Sequence, residues 1–209
     1  MPPGKFIPAL EKNNLIRYID LFVFEEVCKV LQKWDRMGVE SPMISLNFSR
    51  KTLLEDHLID MMEETVSKYQ VDKNLIEIEI TEDLADVGKT IVYQMVKHIR
   101  HAGFRVSLDD FGTNYSNLSI LSELEFDTLK IDRSLIHSLE SEEKNRIILR
   151  NVIQMCKELK VSIIAEGVES ERQRDILMRL GCLLIQGYLY SKPIPVHEFE
   201  KKFMNVQMN

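Results

Sequence analysis

Phe104-Arg105-Val106-Ser107-Leu108-Asp109-Asp110 is a short, largely apolar run that ends on two adjacent carboxylates. The run has the length and composition of a buried strand. Neighbouring carboxylates repel each other unless a cation lies between them, so the pair at its end is hard to explain as structure alone. The same arrangement recurs in both directions along the chain. The strand-like runs are Met43–Leu46, Leu75–Ile80, Phe104–Leu108, Thr128–Ile131, Ser162–Ala165 and Leu183–Gln186. The polar residues at their C-terminal ends are Asn47, Glu79 with Glu82, Asp109 with Asp110, Lys130 with Asp132, Glu166, and Gln186.

Helical patterns separate the runs. Leu149, Val152, Ile153, Cys156 and Leu159 fall on one helical face, and Leu54, Leu58, Met61 and Met62 on another. This alternation predicts βα units around a parallel sheet. Six such units are too few for a complete eight-unit barrel, which takes about 250 residues. An open doubly wound sheet is the alternative, and counting alone does not decide between them. The polar strand ends favour the barrel, because a βα barrel brings all of them to one mouth. The expected fold is an α/β, TIM-type (β/α) barrel, with about six βα units present.

Composition is that of one globular domain: 209 residues, 44% hydrophobic and 29% charged. A formal net charge of −6 argues against a nucleic-acid binder that works by neutralising phosphates. An anionic ligand would need something other than net charge to hold it, and metal ions are the obvious candidate. Cys28, Cys156 and Cys182 are far apart and form no CxxC pair, as expected of reduced core residues in a cytoplasmic protein. The longest apolar runs, such as Leu21-Phe22-Val23-Phe24, are too short to cross a membrane. The N-terminus carries no signal-peptide pattern.

A strand-end set of Asn, Glu and Asp residues supplies oxygen ligands for hard divalent ions, Mg²⁺ or Mn²⁺, rather than zinc. The five histidines, His57, His98, His101, His137 and His197, fall mostly on helices or loops. They are expected at the surface. In Glu77-Ile78-Glu79-Ile80-Thr81-Glu82, alternation puts Glu77 and Glu79 on one face. No role for Glu77 follows from that. Lys130, inside Leu129-Lys130-Ile131, must face anionic groups, either a substrate or a structural carboxylate. Two-metal sites suit hydrolysis of phosphate esters, and the residues alone name that reaction class but no substrate.

Seven segments together resemble the EAL domain family of cyclic-di-GMP phosphodiesterases, in order and spacing. They are Phe6-Ile7-Pro8; Leu46-Asn47-Phe48-Ser49; Glu79-Ile80-Thr81-Glu82; and Asp109-Asp110-Phe111-Gly112-Thr113 with Tyr115-Ser116. The others are Leu129-Lys130-Ile131-Asp132-Arg133-Ser134; Ile164-Ala165-Glu166-Gly167-Val168-Glu169; and Gln186-Gly187-Tyr188 with Lys192-Pro193. The resemblance implies a modified TIM barrel that opens cyclic-di-GMP to linear pGpG with two Mg²⁺ or Mn²⁺ ions. It implies that Asn47, Glu79 and Asp109 are metal ligands and that Asp110 binds the second metal. Lys130 resembles the lysine that orients the attacking water, and Glu166 the further acidic residue of the metal site. Glu169 and Gln186 resemble groups behind the ligands or beside the substrate. Glu82 resembles the glutamate that braces the loop from Phe111 to about Leu118. Arg133 is a candidate substrate contact.

The chain departs from the family in two places. Asn114-Tyr115-Ser116-Asn117 stands where the family usually has Gly-Tyr-Ser-Ser; Asn tolerates positive φ best after Gly, so the loop shape is expected to survive. The family's Glu-Ala-Leu-x-Arg segment would lie upstream of Phe6, and the 209 residues do not contain it. Residues 1–209 are therefore expected to be an EAL domain incomplete at its N-terminus and impaired in hydrolysis. The alternative is a catalytically inactive EAL domain acting as a cyclic-di-GMP sensor or protein-interaction module. Expected partners are cyclic-di-GMP, a second copy in a homodimer, and an upstream sensor or GGDEF domain. DNA is not expected as a partner.

Overall fold

The computed structural model describes residues 3–81, 89–113 and 119–204. In chain order the elements are α1 (Pro3–Lys12), α2 (Ile16–Arg36), β1 (Ile44–Asn47), α3 (Arg50–Leu53), α4 (Leu58–Tyr69), β2 (Ile76–Thr81), α5 (Lys89–His101), β3 (Arg105–Phe111) and α6 (Ser119–Glu123). There follow β4 (Thr128–Ile131), α7 (Arg133–His137), α8 (Glu143–Leu159), β5 (Ser162–Ala165), α9 (Glu171–Leu180), β6 (Leu184–Ile185) and α10 (Val196–Phe203). The six strands lie in the sheet order β1-β2-β3-β4-β5-β6, and the pairs β1–β2, β2–β3 and β5–β6 are parallel. A doubly wound sheet reverses its strand order at a switch point. This sheet never does, so the βα-barrel order is the one observed.

The chain divides into two compact units. The first holds residues 1–109 and 116–128, the second 110–115 and 129–209. Both β3 and β4 contribute to each unit. Asp127 N donates to Val106 O within the first unit, and Asp132 N to Phe111 O within the second.

In the first unit Ile76, Ile78 and Ile80 of β2 are buried, with Phe24, Leu31, Met62, Ile99 and Leu108. Phe24 meets the rings of Phe48 and Phe104 edge-on, each with centroids 6.0 Å away. The other face of β2 is buried as well, which is the signature of a strand covered on both sides. The segment after β1 is held by polar contacts. Ser49 caps α3, accepting from Thr52 N, while the buried Asp20 of α2 accepts from Ser49 N at 2.9 Å and from Thr52 Oγ1 at 2.6 Å.

In the second unit Leu129, Ile131, Ile136, Leu139, Ile153, Val168 and Leu177 form the core. The helix α9 begins with a capping box between Ser170 and Gln173 and ends at Gly181. Gly187 follows β6 because nothing larger fits: a Cβ there would lie 2.1 Å from Val168 O and 2.4 Å from Val168 N.

Several element boundaries differ from the sequence reading. The third strand continues through Asp109 and Asp110 to the buried Phe111, so the acidic pair lies inside β3. Leu159 is half-exposed at the end of α8, and Leu54 caps α3 rather than sharing a face with Leu58 and Met62. The last strand shrinks to Leu184–Ile185, with Leu183 74% exposed. The cysteines are free and buried. Among the described residues, no helix is long and apolar enough to cross a membrane.

Candidate active site

In the first unit, β1 and β2 run in parallel with Ser45 opposite Glu77 and Asn47 opposite Glu79. At the upper rung, Asn47 Nδ2 donates to Glu79 Oε2 at 2.6 Å. Glu79 is 5% exposed and Asp109 of β3 7% exposed. The bond to Glu79 occupies the amide nitrogen of Asn47 and leaves Oδ1 as its ligand-type atom. Among the described residues, no three His, Cys, Asp or Glu side chains form a ready metal cage. Asn47 offers an amide oxygen and Glu79 and Asp109 offer largely buried carboxylates, with Asp109 in register with Thr81; oxygen donors are the kind that hard divalent ions take.

Glu77 occupies the lower rung, wholly buried. Ser45 Oγ donates to its Oε2 at 3.0 Å and Thr128 Oγ1 to its Oε1 at 2.6 Å. Arg105 Nε lies 3.8 Å from Oε1, an ion pair without a hydrogen bond. The alternation in Glu77-Ile78-Glu79 is therefore not a solvent face. Both glutamates point to a buried interior, and sequence reasoning left Glu77 without a function.

Asp110 takes φ +58°, the left-handed region that costs most non-glycine residues strain and that Asp tolerates better than most. The left-handed turn at Asp110 comes directly after the buried Asp109. Glu82 and residues 114–117 lie outside the described residues, so the brace and the altered loop do too.

In the second unit, Lys130 Nζ lies 2.6 Å from Glu166 Oε1. Lys130 is 3% exposed, so β4 presents a buried ammonium to the carboxylate that follows β5. The backbone supports that pairing: Glu166 N donates to Ile131 O at 2.9 Å. Gln186 N donates to Ala165 O at 2.8 Å and Val168 N to Gln186 O at 3.1 Å, which ties the end of β6 to the turn after β5. Glu166, Arg133, Glu169 and Gln186 line one cavity of about 620 Å³. Tyr188, Tyr190, Phe199 and Phe203 give that cavity an aromatic wall, and Lys192 lies over the Tyr188 ring. The aromatic wall was not legible beforehand, since Phe199 and Phe203 come from α10, beyond the last motif.

The histidines sit where the sequence placed them. His98 and His101 are on α5, His137 closes α7, His197 is on α10, and His57 precedes α4.

The EAL domain family profile matches residues 1–193. The signaling protein YkoW of Bacillus subtilis is 34% identical over 96% of this chain and 25% of its own length. The cyclic di-GMP phosphodiesterase NbdA of Pseudomonas aeruginosa is 32% identical over 95% of this chain and 25% of its own length. The chain thus spans about a quarter of each of these relatives. The solved structure described as PaMucR phosphodiesterase in complex with c-di-GMP superposes with a TM-score of 0.88 at 31% identity, over 95% of this chain and 81% of that one. By sequence and by fold, this chain is a member of the EAL domain family.

Proposed function

We propose that the chain is a cyclic-di-GMP phosphodiesterase domain that hydrolyses its substrate to linear pGpG. The observation that carries this reading is the Asn47–Glu79 hydrogen bond of 2.6 Å, at the C-terminal ends of two adjacent parallel strands. Relatives named as cyclic-di-GMP phosphodiesterases, and a neighbour bound to c-di-GMP, support it.

In this reading Asn47, Glu79 and Asp109 would hold a divalent cation, and Asp110 would hold a second. When bound, such ions neutralise the phosphodiester and stabilise the attacking and leaving oxygens. Lys130 orients the attacking water. An ammonium carries three N–H donors, enough to hold Glu166 and direct a water together. Glu166 keeps Lys130 Nζ in place. The water oxygen forms a bond to phosphorus and gives up one proton, the bond from phosphorus to one ribose 3′ oxygen breaks, and that oxygen takes up one proton, so that no net proton is consumed in forming the ester and alcohol. Arg133, Glu169 and Gln186, around the cavity of the second unit, bind and orient the nucleotide, and the aromatic wall suits stacking of a guanine base.

Chromatography of cyclic-di-GMP incubated with the chain and Mn²⁺ tests the proposal. Formation of pGpG supports it. Retention of intact cyclic-di-GMP by a chain that binds it would favour a sensor domain instead.

A further inference from the structure

Glu77 is the buried carboxylate that the proposed chemistry leaves unused. An ionised carboxylate is costly to bury, and an apolar residue of similar volume often stabilises a core better. Its partners are two hydroxyls and an arginine. They lie on β1, β4 and β3, so one side chain has partners on both strands beside β2 and on the strand beyond β3. Arg105 Nε is itself buried and, among the described residues, has no hydrogen-bond partner. The cluster is therefore held by the carboxylate, with the hydroxyls aimed at it.

The lower and upper rungs share a ladder. Ser45 and Glu77 lie two residues before Asn47 and Glu79, on the same face and in the same parallel register. The hydrogen bond from Ser45 to Glu77 repeats, one step lower, the bond from Asn47 to Glu79. The apolar pattern and the backbone ladder fix the register of two strands; directional side-chain bonds of this kind add a constraint on the tilt and spacing of the polar groups within it. Binding sites need their donors within about 0.5 Å of the working geometry.

We propose that Glu77 is a positioning residue: through Ser45, Thr128 and Arg105 it sets the β1–β2 alignment that brings Asn47 and Glu79 together for a divalent cation. The inference rests on the reading of Asn47 and Glu79 as metal ligands, so its test separates the two.

The experiment measures Mn²⁺ affinity by calorimetry and thermal midpoint by circular dichroism, on the full chain and its variants. Glu79→Gln removes a proposed ligand. Glu77→Gln keeps the shape and removes the charge. Thr128→Val keeps shape and β propensity and removes one hydroxyl, so it decides the matter if Glu77→Gln does not fold. The expected result is a fall in Mn²⁺ affinity of about 10–100-fold for Glu77→Gln, the usual cost of losing a group that supports a metal ligand, with a smaller fall in the same direction for Thr128→Val. If these variants melt earlier but bind Mn²⁺ like the wild type, Glu77 is structural and the inference is overturned, while loss of binding in Glu79→Gln leaves the ligand reading standing. If the wild-type chain binds no Mn²⁺ at millimolar concentration, or Glu79→Gln binds it equally well, the ligand reading fails and takes the inference with it.

Discussion

Lys130 Nζ sits 2.6 Å from Glu166 Oε1, with the lysine almost fully buried. A buried pair of this kind is worth little against an apolar replacement, but removing one partner strands the other charge. Lys130→Met keeps the aliphatic stem and removes the ammonium. It is expected to lower stability by about 3 kcal/mol, the lower end of the cost of breaking a buried pair, and to slow hydrolysis by about 10²–10⁴-fold, as for loss of a positioned proton-transfer group. The double variant Lys130→Met with Glu166→Gln should regain stability but not turnover. Denaturant titration and product chromatography read both, and recovered turnover in the double variant would remove Lys130 from the mechanism.

Asp110 combines a left-handed backbone with a proposed metal-binding carboxylate. Asp110→Gly relieves the backbone while removing the carboxylate; Asp110→Ala removes the carboxylate and keeps the strain. The glycine variant should therefore be the more stable by about 1 kcal/mol, and neither should hydrolyse cyclic-di-GMP. Chemical denaturation decides the order, and an alanine variant at least as stable as the glycine one contradicts the backbone argument.

Gly187 is a matter of space. A Cβ at this position would overlap the backbone of Val168, and neither backbone can move without opening the bonds from Val168 N to Gln186 O and from Leu189 N to Val168 O. Gly187→Ala is expected to cost about 3 kcal/mol, the upper end for overpacking. A melting temperature equal to that of the wild type would show that this turn is looser than described.

Glu25 of α2 accepts hydrogen bonds from Lys68 Nζ at 2.8 Å and Tyr69 Oη at 2.6 Å, across to α4. The Lys68 bond first, and then the Tyr69 bond, lower its carboxyl from an ordinary 4.5 to about 2. A carboxyl lowered in the folded state contributes stability above its unfolded value, and that contribution is lost as pH falls toward the folded one. Wild-type stability should therefore drop more steeply than that of Glu25→Gln between pH 4.5 and about 2. Parallel pH profiles for the two proteins would contradict the pairing.

The sequence reading reached the sheet because the strand-like runs are short and alternate with helical patterns. Thr128–Ile131 and Ser162–Ala165 match β4 and β5 residue for residue. From sequence β3 ends at Leu108, because two carboxylates resemble a strand end; the pairing of Asp109 with Thr81 and the burial of Phe111 show that the strand continues. Glu77 was opaque for a related reason. Its hydroxyl partners lie 32 and 51 residues away in the chain, so nothing local distinguishes it from a solvated acid. The shared face of Glu77 and Glu79 was legible from alternation, whereas the burial of that face depends on the neighbouring strands. The aromatic wall of the cavity draws on α10, which the motif pattern does not reach.

The most direct test of hydrolysis is to incubate cyclic-di-GMP with the chain and Mn²⁺ in heavy-oxygen water, and to weigh the products by mass spectrometry. The expected product is pGpG bearing one heavy oxygen on its 5′ phosphate, formed by the wild type and absent with Asp109→Asn, because a neutral amide is a poorer ligand for a hard divalent cation than a carboxylate. Intact cyclic-di-GMP from the wild-type chain, or equal labelled product from Asp109→Asn, would contradict it.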